Sequence, residues 1–228
     1  MGGVSNLDTR LLDRRVYDVG EAATFLELPP STLRRWLLGD VRKGRRYLPV
    51  LRDENNDDTT VRWGEFIEAG VLKALRGEHK VDLQELRVFC HTLRHTEGLP
   101  YPLAMKEILL NGPRLLYPLR LANIEALVDA DGQILTGPAI ELFVSRVRWD
   151  GDQPVAYRPS PEHPRVEINP RLRFGEPQVA GVSTAAVYEL HAAGEPISLL
   201  AETWNVDPDV IHAAMEYETD RRRPARAA

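Results

Sequence analysis

The stretch Pro29-Pro30-Ser31-Thr32-Leu33-Arg34-Arg35-Trp36-Leu37-Leu38-Gly39 decides how this chain is read. Two prolines end whatever helix precedes them and prepare the next, with Pro30 at its first position or Ser31 as its cap. Leu33, Trp36 and Leu37 recur at i, i+3, i+4 and face inward, and Gly39 ends the helix near Leu38. Arg34 and Arg35 then point away from the core, with Thr32 at the edge. Upstream, Val19 to Glu27 predicts a short helix. Ala22, Ala23, Phe25 and Leu26 supply its apolar spacing, and Glu21 suits the positive end of its dipole. Two short helices joined by a tight turn, the second cationic on its free face, make a helix-turn-helix.

Charge sharpens this reading. The chain of 228 residues carries −5 overall, yet the segment from Pro29 to Arg52 holds seven basic residues against the single acid Asp40. A local basic patch on an otherwise acidic molecule attracts phosphate on one face and repels it on the others. Tyr47 to Arg52 and Thr59 to Trp63 are strand-like and predict a β-hairpin wing. Its acidic tip, Asp53 to Asp58, leaves Arg45, Arg46 and Arg52 to meet phosphate.

Further along, Trp63, Phe66, Ile67, Val71, Ala74 and Leu75 form one helical stripe, and Leu86, Phe89, Cys90 and Leu93 another. Either stripe suits an intramolecular core or a dimer interface. A weaker helix spans Pro102 to Leu110, and Asn111-Gly112-Pro113 breaks the chain. Asp131-Gly132 and Asp150-Gly151 each lie between apolar alternations, a hairpin signal. Leu115 to Tyr157 therefore predicts a small sheet, with a helix over Pro138 to Arg146. A proline-rich linker, Arg158 to Pro164, leads to three short helices: Thr184 to His191, Pro196 to Thr203, and one capped by Asp207 with Pro208 at its first position. The last faces Val210, Ile211, Ala214 and Tyr217 inward. The Arg221-Arg222-Arg223-Pro224-Ala225-Arg226 end predicts a disordered tail.

The expected fold is α+β and mostly α. A winged helix-turn-helix with its following helices occupies residues 1–112, and a small antiparallel β region with linker occupies 113–164. A three-helix, helix-turn-helix-like domain occupies 165–219, and an Arg-rich tail 220–228. No apolar run approaches the roughly 18 residues of a membrane span, and the polar start lacks a signal peptide; a cytoplasmic protein is expected.

Enzymatic chemistry finds little support. No nucleophile elbow, phosphate loop or paired acid–base carboxylates are present. Cys90, the single cysteine, is a reactive thiol or a small buried apolar residue. His91 and His95, with Glu97 nearby, could share a metal or simply be surface histidines. Asp129 and Asp131 flank a turn, which explains them better than calcium binding does. No cofactor is expected.

Two stretches resemble known families. Tyr17-Asp18-Val19-Gly20-Glu21-Ala22-Ala23 through Pro30 to Trp36 resembles the MerR-type winged helix-turn-helix, in which the second helix enters the major groove and the wing grips the backbone. Arg165-Val166-Glu167-Ile168-Asn169-Pro170, then Phe174-Gly175-Glu176-Pro177-Gln178-Val179-Ala180-Gly181, then Val210 to Tyr217, is similar to the domain of unknown function numbered 433. That domain occurs in VapB-like antitoxins. Its usual Gly-Thr-Arg reads Gly181-Val182-Ser183 here, without the arginine. Together the two halves resemble the long VapB-like antitoxins of actinobacteria. The resemblance implies operator binding, a homodimer, autorepression, and a cognate PIN-type ribonuclease toxin.

On this reading Arg34 and Arg35 are the expected base or phosphate contacts, with Thr32 beside them. Lys43, Arg45 and Arg46 are expected on phosphate, and Trp36 in the core. Four arginines in the last eight residues, Arg221, Arg222, Arg223 and Arg226, could insert into an acidic nuclease site or be a solvated tail. The alternatives are a stand-alone MerR-like regulator sensing a small molecule or metal in its middle sheet, and an adaptor that binds only protein.

Overall fold

A computed structural model describes residues 9–52, 58–78, 82–106, 109 and 138–223. The stretch from Asp53 to Asp57, the Asn111-Gly112-Pro113 break, the Asp131-Gly132 turn with its flanking strands, and Arg226 lie outside the described residues. The fold is α+β and mostly helical, with small antiparallel sheets. It divides into two compact units, Met1–Val155 and Ala156–Ala228. Among the described residues no helix is long and apolar enough to cross a membrane.

In the first unit, α1 (Thr9–Leu12) precedes β1 (Arg15–Asp18), α2 (Val19–Phe25) and α3 (Pro30–Leu38). Asp18 caps α2 reciprocally: its carboxylate accepts the Glu21 N–H at 2.8 Å, and the Glu21 carboxylate accepts the Asp18 N–H at 3.3 Å. Such a box satisfies two of the orphan donors at a helix start. Pro30 occupies the first turn of α3, whose Leu33, Trp36 and Leu37 are buried. Gly39 ends the helix at φ 77°. A Cβ there would strike the carbonyl oxygen of Tyr47.

The hairpin is not where the strand-like runs suggested. It forms from β2 (Asp40–Arg42) and β3 (Arg45–Tyr47), with Val41 opposite Arg46. Lys43 and Gly44, at φ 49° and 75°, make the turn. Two consecutive positive φ values are what a two-residue hairpin turn requires. The expected partner strand, β4 (Thr60–Arg62), pairs antiparallel with β1 instead, setting Tyr17 against Val61. Directly after β3 the chain turns inward, where the Val50 and Leu51 N–H groups donate to the Trp36 carbonyl at 2.9 and 3.0 Å.

Arg52 is therefore not a phosphate contact. It is 6% exposed, and its guanidinium grips both Glu65 oxygens at 2.6 and 2.8 Å. It also donates to the carbonyls of Asp58 and Thr60.

Both apolar stripes lie in the core of this unit. They belong to α4 (Trp63–Glu78) and α5 (Leu83–Thr96), and Trp63, Phe66, Ile67, Val71, Leu86, Phe89, Cys90 and Leu93 are all buried. Trp63 stacks on Phe66 with ring centroids 5.4 Å apart. Its indole N–H donates to the Pro154 carbonyl at 2.7 Å. The segment expected as a weak helix after Pro102 begins as a 3-10 turn, Pro102–Ala104. A later helix, α6 (Pro138–Arg146), lays Phe143 against Gly70 so closely that any Cβ at Gly70 would collide with the ring. The strands β5 (Val147–Asp150) and β6 (Gln153–Tyr157) flank the Asp150-Gly151 turn, with Gly151 at φ 58°.

Glu68 on α4 is fully buried and accepts from Arg94 at 2.9 Å and the Leu103 N–H at 3.1 Å. Burial raises its pKa from 4.5 to about 7, against the opposing pull of Arg94. The folded form thus holds a proton that the unfolded chain releases near pH 4.5. The associated stability is complete below pH 4.5 and is lost as pH rises through 7. That difference amounts to about 3 kcal/mol. Glu68→Gln should remove this slope from a pH series of chemical denaturation; an unchanged slope would place its cause elsewhere.

In the second unit, Tyr157 of β6 pairs with Ile168 of β7 (Glu167–Ile168). The sheet continues through β8 (Pro177–Val179) and β9 (Val182–Ser183), all antiparallel. Three helices follow: α7 (Thr184–Ala192), α8 (Ile197–Trp204) and α9 (Pro208–Arg222). Ser183 caps α7, and Asp207 caps α9 with Pro208 in its first turn. The core joins Val166, Val179, Val187, Leu200, Ile211 and Tyr217. The residues expected to open a disordered tail continue α9 as far as Arg222. Arg221 and Arg222 both donate to Glu218, at 2.9 and 3.0 Å, one turn back.

Candidate nucleic-acid interface

Four exposed cations of the first unit, Arg34, Lys43, Arg45 and Arg46, lie on α3 and the β2–β3 hairpin. Arg34 is exposed on α3. Arg35, its neighbour, is half-buried and folds back on its own helix, donating to the Ser31 carbonyl at 3.2 Å and the Thr32 hydroxyl at 3.1 Å. Arg34 is accordingly the reaching side chain, while Arg35 and Thr32 hold each other. Lys43 stands at the hairpin turn, and Arg45 and Arg46 are exposed on the second strand. Arg45 lies over the Tyr47 ring at 5.4 Å, a contact that orients a cation at little cost. Val41, directly opposite Arg46, is 68% exposed.

The β3 strand runs between two grooves. One, of about 520 Å³, is lined by Thr32, Arg35, Arg45, Arg76 and Arg87 among others. The second, of about 730 Å³, takes in Arg45, Arg46, Leu48, Val88, His91 and His95. Arg87 donates to the Leu48 carbonyl at 2.6 Å. Burial, aided by the nearby Arg76 and opposed by Asp82, holds its pKa below the ordinary value. Arg76 and Arg87 join the patch only through tertiary packing of α4 and α5, so no local pattern marks them. Val41 escapes a sequence reading because a lone apolar residue between charges carries no signal.

His91 and His95 lie with ring centroids 4.2 Å apart on the exposed side of α5. Among the described residues no cluster of three or more possible ligands surrounds them. Cys90, on the opposite face, is fully buried, and burial pushes its thiol pKa well up; a thiolate nucleophile does not form there. In the second unit Arg222 also stacks on Tyr188 at 4.4 Å, and Arg223 pairs with Asp220 at 3.2 Å.

No family model matches the chain. It is 30% identical over 234 residues to the uncharacterized protein Rv2308 of Mycobacterium tuberculosis, covering 96% of this chain and 95% of that protein. It is 24% identical over 238 residues to the putative antitoxin VapB45 of the same organism, covering 95% of this chain and 98% of that one. Among solved structures it is similar to Rv2018 from Mycobacterium tuberculosis. The TM-score is 0.61 at 21% identity, covering 90% of this chain and 99% of that chain, a likeness of fold.

Proposed function

The chain belongs to the same family as the uncharacterized protein Rv2308 of Mycobacterium tuberculosis, and we propose that it is a non-enzymatic, DNA-binding antitoxin. In this reading α2 and α3 are a MerR-like helix-turn-helix, and the β2–β3 hairpin is its wing. The protein binds its own operator as a homodimer in the cytoplasm, represses its operon, and neutralises a PIN-type ribonuclease toxin by direct contact. The observation that carries the DNA part is the exposure of Arg34 on α3 together with that of Lys43, Arg45 and Arg46 on the hairpin. The toxin part is supported by the name carried by the relative at 24% identity. Arg34 has the fork geometry for a guanine edge or a phosphate, and the hairpin cations suit the backbone.

The test is binding to the protein's own promoter DNA by fluorescence anisotropy across a salt series. Lys43→Ala, Arg45→Ala and Arg46→Ala together should lower the slope of log affinity against log salt by about 3, one for each phosphate no longer neutralised. Arg34→Ala should instead flatten the preference for promoter over random DNA. Equal, salt-insensitive binding by all these proteins would remove the DNA-binding reading. Co-expression with the product of the adjoining gene tests the toxin reading: the two should co-purify, and growth should be rescued.

A further inference from the structure

We infer that the second unit engages a protein partner through the loop Asn169–Glu176, with Phe174 as the anchor of a contact that fits an apolar pocket rimmed by carboxylates. The inference rests on the antitoxin reading and names the surface that meets the toxin.

Three observations carry it. Phe174 is 75% exposed, more than any other large apolar side chain among the described residues, and Leu172 beside it is 46% exposed. Large apolar side chains held in water mark interaction sites when they cluster. Secondly, Arg173, Phe174 and Gly175 follow one another at φ 45°, 55° and 87°. The left-handed region is costly for a bulky residue and persists where the surroundings impose it, which happens most often at binding sites. The loop is tied accordingly. The Leu172 N–H donates to the Asn169 carbonyl at 2.9 Å, the Gly175 N–H to Leu172 at 2.9 Å, and the Glu176 N–H to Arg173 at 3.0 Å. The Asn169 side chain accepts the Arg171 N–H at 2.9 Å, and the Arg173 guanidinium donates to the Gly181 carbonyl at 3.2 Å. A loop already fixed in shape loses little entropy on docking.

The third observation is charge. From Ala156 to Arg223 the sequence has eleven acidic and seven basic residues. Asp209, Glu216 and Asp220 are exposed on α9, and the arginines exposed at its end pair with Glu218 and Asp220. Arg171 and Arg173, both exposed, bracket Leu172 on the loop. Arginine and an aromatic ring are the residue types that dominate binding hot spots, and their charge selects an acidic rim.

The test uses the full chain and the purified product of the adjoining gene, with affinity measured by calorimetry. Phe174→Asn removes the ring and places there a residue that tolerates the left-handed backbone. It should leave thermal stability equal or higher while weakening the complex at least 30-fold. Arg171→Glu, which retains its backbone hydrogen bond, should weaken it in the same direction. Promoter binding should be unchanged in both variants. Wild-type affinity in both variants would overturn the inference and leave the antitoxin reading standing. Failure of the unaltered chain to bind the adjoining product would overturn both. Loss of promoter binding in either variant would overturn the inference in favour of a loop that contacts DNA.

Discussion

Arg52→Ala is expected to destabilise the first unit by about 3–5 kcal/mol, read as a shift in denaturant midpoint followed by tryptophan fluorescence. Both partners of the Arg52–Glu65 pair have side chains 2% exposed. Their two-pronged contact, at 2.6 and 2.8 Å, is the geometry that repays desolvation. Removing the guanidinium leaves the Glu65 carboxylate buried with the Arg62 N–H, at 2.8 Å, still bonded to it. It also frees the Asp58 and Thr60 carbonyls that Arg52 holds. The cost is one of an orphaned charge rather than of a missing attraction. Replacing both residues together, Arg52→Met with Glu65→Leu, should therefore restore much of the stability. A loss below about 1 kcal/mol for the single variant would mean that water reaches the pair.

Arg52 also shows where sequence reasoning stops. Its partner lies on a helix 13 positions away, and neither residue belongs to a pattern that announces burial, so a cation beside other cations reads as surface. The hairpin differs from expectation for a related reason. Tyr47 to Leu51 has stronger strand character than Val41-Arg42, yet the Lys43-Gly44 turn and the close approach at Gly39 decide where the chain reverses. Turn chemistry outweighs propensity. Where chemistry is local, the sequence is legible: Pro30 and Gly39 bound α3, Asp207-Pro208 opens α9, and the stripes of α4 and α5 are buried as their periodicity requires. Arg34, Lys43, Arg45 and Arg46 are legible as exposed cations on α3 and the hairpin because they stand apart from those stripes. The link from Arg221 and Arg222 to Glu218 is legible too, as i, i+3 and i, i+4 pairs, but a run of arginines next to a chain end reads first as solvated.

That last link supports the second large effect. Glu218→Ala should cost the second unit about 2–3 kcal/mol, and acid should weaken this unit through the same residue. Glu218 is fully buried and accepts from the Thr184 hydroxyl at 2.7 Å and from both arginines. Burial pushes its pKa up, but the hydrogen bonds from Thr184, Arg221 and Arg222 prevail and hold it below the usual 4.5. A carboxylate lowered in the folded state contributes stability that is present above 4.5 and is lost as pH falls through the folded value. Glu68 in the first unit has the opposite sign, so acidification from pH 7 favours α4 through that group before it undermines α9. Amide exchange resolves the two: protection of the α4 amides should rise between pH 7 and 4.5 after correction for intrinsic rates, while that of α9 holds and then falls below 4.5. Glu218→Gln keeps an acceptor for Thr184 and should abolish the fall. Parallel pH profiles for α4 and α9 in the unaltered protein would show that neither carboxylate controls its unit.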